Sequence, residues 1–102
     1  MLIEASYDYP KHIAYTADST HTIEEGDTIT FRVGTPGPVG GTIETPLVVQ
    51  ALTRETSKKA TGTVARSDLV FDPGHYAWHV EIARLGIVAH GIFRLDTSIP
   101  RS

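Results

Sequence analysis

From His75 to Arg84 the chain puts Tyr76, Trp78, Val80 and Ile82 on one side of an extended segment. His75, Ala77, His79, Glu81 and Ala83 fall on the other side. A period of two is the mark of a half-buried strand, and no helix produces it. Ile87 to Leu95 is a second such run, reached through a turn containing Gly86. The pairing of the two runs is testable by parity, because a slip of one residue turns every side chain to the opposite face. A four-residue loop, Ala83 to Gly86, sets Ile82 opposite Ile87, Val80 opposite Ala89 and Tyr76 opposite Phe93. It also lets Gly91 make room for Trp78. A three-residue loop puts His90 against Val80 and Arg94 against Tyr76, which would bring charge into the core. A two-residue turn keeps the parity but asks Leu85 for a positive φ. The reading is therefore a four-residue loop built on a type I turn, with Gly86 left-handed.

The rest of the chain reads as strand and turn as well. Thr, Val and Ile are frequent, and their stiff branched Cβ suits a pleated surface. Pro and Gly interrupt any helical pattern. Up to about Thr20 the residues are rich in Tyr, Ser, Thr and Asp and broken by Pro10, so residues 1–20 are read as an N-terminal arm or an irregular first strand, and 21–102 as the domain proper. Glu24-Glu25-Gly26-Asp27 is a turn in which Gly26 is free to take positive φ. Thr28 to Val33 follows, with Ile29, Phe31 and Val33 inward. Gly34 to Pro46 is read as a loop, because Pro lacks a donor and Gly loses much entropy in a ladder. Leu47 to Arg54 is a strand, read with Leu47, Val49 and Ala51 inward so that Gln50 stays outside. Glu55 to Lys59 is a charged turn, and Val64 and Leu69–Phe71 are two shorter strand candidates.

Asp72-Pro73-Gly74-His75-Tyr76-Ala77-Trp78 narrows the fold further. In immunoglobulin-like sandwiches a Tyr near the start of the sixth strand turns its hydroxyl back to the upstream backbone, two residues before the second Cys of antibody domains. Here Trp78 stands at the Cys position, and a large aromatic fills the space that a disulfide would bridge. The expectation is an all-β, immunoglobulin-like β-sandwich of about seven antiparallel strands. Its core would hold Phe31, Tyr76, Trp78, Val80, Ile82 and Phe93. The length of 102 residues suits one domain. A formal net charge of -3 argues against a nucleic-acid footprint. The absence of cysteine fits folding in a reducing cytosol. The first residues lack the basic start and apolar run of a secretory signal, and no apolar stretch is long enough to span a bilayer.

Five histidines, His12, His21, His75, His79 and His90, raise the question of a metal. His75 and His79 share a strand face but lie ~13 Å apart, too far to share one zinc ion. Parity places His90 opposite His79 and next to Glu81, a set of donor types that would suit a metal. A solvated or partner-facing sheet surface is the reading preferred here. No thiol, Gly-x-Ser-x-Gly elbow or phosphate-binding Gly loop is present. The expectation is therefore no enzyme, no catalytic residue, no metal and no cofactor. Glu24, Glu25 and Asp27 lack EF-hand spacing. Tyr7, Tyr9 and Tyr15 are candidate partner contacts, either as aromatic anchors for a neighbouring protein or as a carbohydrate platform.

Two stretches bear a family likeness. Gly26-Asp27-Thr28-Ile29-Thr30-Phe31-Arg32-Val33 is one. The other is Asp72 to Ile82 with its return strand Gly91-Ile92-Phe93-Arg94-Leu95. Together they resemble the small immunoglobulin-like domains of tailed-bacteriophage structural proteins, such as baseplate and tail-fibre adaptors. The likeness covers about a third of the chain; the loop from Gly34 to Pro46 departs from it by lacking the usual Leu-Thr-Gly step. It implies a non-enzymatic virion component: a tail, neck or baseplate adaptor, or a capsid cement protein. Such a protein is made in the host cytoplasm and assembles as repeated copies with other virion proteins. It implies no nucleic-acid or membrane partner. A carbohydrate- or cell-surface-binding module is the alternative.

Overall fold

The computed structural model describes residues 2–6, 10–39 and 42–96. It contains seven strands: β1 (Leu2–Ser6), β2 (Lys11–Thr16), β3 (Ile29–Pro36), β4 (Ile43–Thr56), β5 (Lys59–Val64), β6 (Gly74–Ile82) and β7 (Gly86–Asp96). They form a sheet of order β1-β7-β6-β3-β4-β5-β2, nearly closed into a barrel. No α-helix occurs among the described residues; a single 3-10 turn spans Arg66–Asp68. All pairings are antiparallel except β1 with β7. The long β4 does most of the wrapping. It pairs with β3 up to Leu52 and with β5 from Thr53 onward.

The core gathers the inward positions of every strand. Phe31, Val33, Ile82 and Phe93 are fully enclosed, and Trp78 and Val80 are buried beside them. The Phe31 ring lies 5.9 Å from that of Trp78 and 6.5 Å from that of Phe93, both tilted, the offset arrangement that aromatic quadrupoles favour. Tyr76 is half-buried. Its hydroxyl donates to the Asp72 carbonyl at 2.6 Å, the backward bond that the Asp-x-Gly-x-Tyr pattern anticipates, and its ring meets Phe71 edge-on at 4.8 Å.

The β6–β7 hairpin follows parity for most of its length, with Tyr76 opposite Phe93, Trp78 opposite Gly91 and Val80 opposite Ala89. Its end differs. A bulge between Val80 and Glu81 sets Glu81 opposite Ile87 and Ile82 opposite Gly86. The loop is thus three residues, Ala83 to Leu85, closed by Leu85 N–H donating to the Ile82 carbonyl at 2.8 Å, with Gly86 at φ +90°. This is a type I turn with a left-handed glycine. The bulge absorbs the extra residue, so a three-residue loop coexists with apolar pairing farther along.

Three other expectations are corrected. In β4 the inward residues are Val48 and Leu52, while Leu47, Val49 and Ala51 are exposed. The inward parity costs little at half-buried Gln50, because its Nε2 donates to the Ala51 carbonyl. The stretch read as a loop from Gly34 to Pro46 is partly ladder. β3 and β4 pair as far as Pro36 with Ile43, through two irregularities. Gly34 permits this, since a Cβ there would overlap the Thr45 carbonyl oxygen and the Ile43 side chain. Leu69–Phe71 is not a strand, yet Leu69 is buried at 1% exposure behind the 3-10 turn. Of the two readings of residues 1–20, an arm or an irregular first strand, the structure forms strand, twice over: Leu2–Ser6 and Lys11–Thr16 are β1 and β2, and Ile3, Ala5, Ile13, Tyr15 and Ala17 join the core.

Candidate functional site

β2 ends the sheet on one side and β1 on the other, leaving a seam between them. Within β2, Ile13 and Tyr15 point inward while His12, Ala14 and Thr16 are exposed. The register runs from Lys11 opposite Val64 to Thr16 opposite Lys59, and the next residue, Ala17, donates its N–H to the Lys58 carbonyl at 2.8 Å. Antiparallel pairs alternate between bonded and non-bonded. Ala17, Tyr15, Ile13 and Lys11 therefore direct N–H and C=O toward β5. His12, Ala14 and Thr16 direct theirs out to the seam. An apolar hollow of about 280 Å³, lined among others by Ile3, Ile13, Tyr15, Phe31, Trp78 and Val80, lies under this edge. A second of about 200 Å³ separates Leu2, Ile3 and Glu4 of β1 from Lys11 to Ala14.

The outer face over β7, β6 and β3 is a polar row bordered by apolar side chains. His79 pairs with His90 on one side and with Arg32 on the other. The expectation that the imidazoles lie outside fails for His79, which is only 6% exposed. Arg32 and Glu81 account for its cover: Arg32 Nη1 donates to Glu81 Oε1 at 2.9 Å and lies 3.3 Å from His79 Nε2. A guanidinium can only donate, so His79 Nε2 accepts there. Glu81 is thereby occupied by Arg32, and no group of three or more His, Cys, Asp or Glu is placed to hold a metal among the described residues. His75 and His90 are exposed. Leu2, Ile92 and Val49 border the row at 51%, 54% and 61% exposure, with Leu2 directly beside Ile92.

A second polar cluster pins the chain after β2. The Tyr15 hydroxyl and His21 Nε2 are 2.5 Å apart, and the rings stack at 6.0 Å. His21 Nδ1 lies 3.1 Å from the Thr20 hydroxyl and 3.5 Å from Asp18 Oδ1. Thr20 donates its own proton to Asp18, so the hydrogen between Thr20 and the ring is carried by His21 Nδ1. Burial pushes the Tyr15 phenol above its ordinary value, and the Asp18 charge acts in the same direction. The Thr20 hydroxyl, followed by the Thr20 N–H, holds the Asp18 carboxyl below the usual range. The Tyr–His–Asp order invites comparison with a catalytic relay. A protonated, buried phenol is the opposite of an activated nucleophile, however, and Lys58 Nζ binds the Asp18 and His21 carbonyls from beyond. This is a loop staple.

Tyr15, read as a partner contact, is therefore buried at 8% exposure and works inside the fold. Tyr7 and Tyr9 lie outside the described residues. Sequence reasoning missed the β2 edge because Pro10 and the polar residues around it concealed the alternation of Lys11 to Thr16. It missed the His21 staple because the three side chains meet only through a loop. No helix among the described residues is long and apolar enough to cross a membrane. Comparisons with models of protein families, with curated proteins and with solved structures gave no match.

Proposed function

We propose that this chain is an immunoglobulin-like module that works through protein–protein contacts and carries out no chemistry. The pairing pattern supports the fold reading: β1, β7, β6, β3 and the first half of β4 form one run of paired strands, and the rest of β4 with β5 and β2 forms a second. The Tyr76 bond to Asp72 supports it too. The observation that carries the functional reading is the pair of sheet ends left unpaired among the described residues, combined with the exposed apolar trio Leu2, Ile92 and Val49. Open edges and apolar side chains on a sheet surface mark places where another chain docks.

Within that class, the likeness to phage immunoglobulin-like domains makes the module a structural part of a bacteriophage particle, in the tail, neck, baseplate or head surface. The partners are other virion proteins. The test is density-gradient purification of particles from the native source, with immunogold labelling in the electron microscope. Co-sedimentation and a repeated label position support the reading; a wholly free pool of protein ends it. The carbohydrate-binding alternative loses Tyr15 from its platform. A glycan array with no specific hit would close it.

A further inference from the structure

We infer that the seam edge of β2 is a self-association edge, on which a second copy of this chain pairs its own β2 antiparallel about a two-fold axis through Ala14. It goes beyond the assembly reading by naming the partner, and either can fail while the other stands.

The outward-directed N–H and C=O groups of His12, Ala14 and Thr16 are spaced so that one register uses them all. With Ala14 opposite its own copy, His12 falls opposite Thr16 and Thr16 opposite His12. Each of these is a bonded pair of an antiparallel ladder. Shifting the axis to His12 or Thr16 leaves part of the ladder without a partner. On the inward side the same register sets Ile13 against Tyr15, a β-branched–aromatic pair of the kind that stabilises sheets. It also covers the mouth of the apolar hollow that Ile13, Ala14, Tyr15 and Thr16 help to line.

Charge agrees with this register. Lys11 and His12 form the basic end of the edge, and Asp18 follows its other end. Antiparallel pairing lays each basic end alongside the other copy's Asp18, and no like charges stand opposite. Proteins that guard an edge put a charge, a bulge or a proline in its middle; β2 has an exposed alanine there. A closed point-group dimer follows, since the same patch serves both copies. The ladder is short compared with a standard interface, so the dimer is weak and concentration-dependent over about 10 µM to 1 mM.

The experiment combines sedimentation equilibrium with cysteine cross-linking in a chain that has no cysteine of its own. Wild-type mass should rise from 11.1 kDa toward twice that value with concentration. Ala14→Pro, which removes only a seam-directed N–H, should remain at one chain's mass with unchanged circular dichroism. In the proposed register the two Ala14 Cα atoms lie about 5.5 Å apart, within disulfide reach. Two His12 residues lie ~13 Å or more apart. Under mild oxidation Ala14→Cys should cross-link at least about tenfold faster than His12→Cys, which is exposed as well. This comparison decides the matter even if the proline variant does not fold. A wild-type protein that stays monomeric at about 1 mM, or cysteine variants that cross-link at equal rates, would overturn the proposal.

Discussion

Trp78 illustrates how one large side chain anchors the core. It fills the space next to Phe31 at the centre of the barrel, so Trp78→Ala leaves a cavity the surrounding strands only partly collapse into. A loss of ~3–5 kcal/mol is expected in urea unfolding. Tyr76→Phe keeps the ring on Phe71 and removes only the bond to the Asp72 carbonyl; ~0.5–1.5 kcal/mol is expected. Asp27 gives a pH signature. The Arg84 side chain, then the Glu24 N–H, holds its carboxyl below the usual range, through Arg84 Nη2 at 2.9 Å and Nε at 3.1 Å. A depressed folded value means that the unfolded chain binds the proton first. The stabilisation is complete above the unfolded value of about 3.9 and is lost as pH falls through the lower folded value. Asp27→Asn should flatten the acid limb of a stability-versus-pH curve; an unchanged limb would mean that the Arg84 bond does not persist in solution.

At the scale of the element, β4 shows why parity alone misplaces a strand. Keeping Gln50 outside is a sound rule for an isolated strand. The tertiary structure instead gives the amide a backbone acceptor and turns Val48 and Leu52 inward. Val48→Ala should therefore cost ~1–3 kcal/mol, and Val49→Ala, on the exposed side, no more than about 0.5 kcal/mol. The reverse ranking in thermal melts would restore the sequence-based register. β2 makes a prediction of the same kind. In dilute protein, amide hydrogens of Ile13 and Tyr15 should exchange slowly and those of His12, Ala14 and Thr16 quickly. Uniform protection along β2 would show that the edge is already paired within one chain.

For the whole molecule the governing fact is that seven strands come close to closing and do not close. The two edges that remain among the described residues, with the apolar side chains on the outer face, are the surfaces on which the proposed docking role rests. His79 adds a constraint at this scale. It is buried between β3 and β7 under Arg32 and Glu81, so the polar row is a packed part of the sheet and not an open ligand set. Zinc or a chelator should leave the melting temperature unchanged; a shift of several degrees with zinc would reopen the metal reading.

The alternation of the last third carried the all-β class, the Trp78 core and most of the β6–β7 pairing, because period-two burial is written directly into neighbouring residues. The glycines at 26 and 86 marked turns for the same local reason: only a residue without Cβ takes those φ values cheaply. The tertiary structure decided what depends on distant partners. These are the bulge that shortens the β6–β7 loop, the inward face of β4, the burial of His79 beneath a salt-bridged arginine, and the recruitment of Leu2–Ser6 and Lys11–Thr16 as two edge strands. Each turns on hydrogen bonds or cover supplied by residues far along the chain, and no local pattern of apolar and polar residues encodes where those will be.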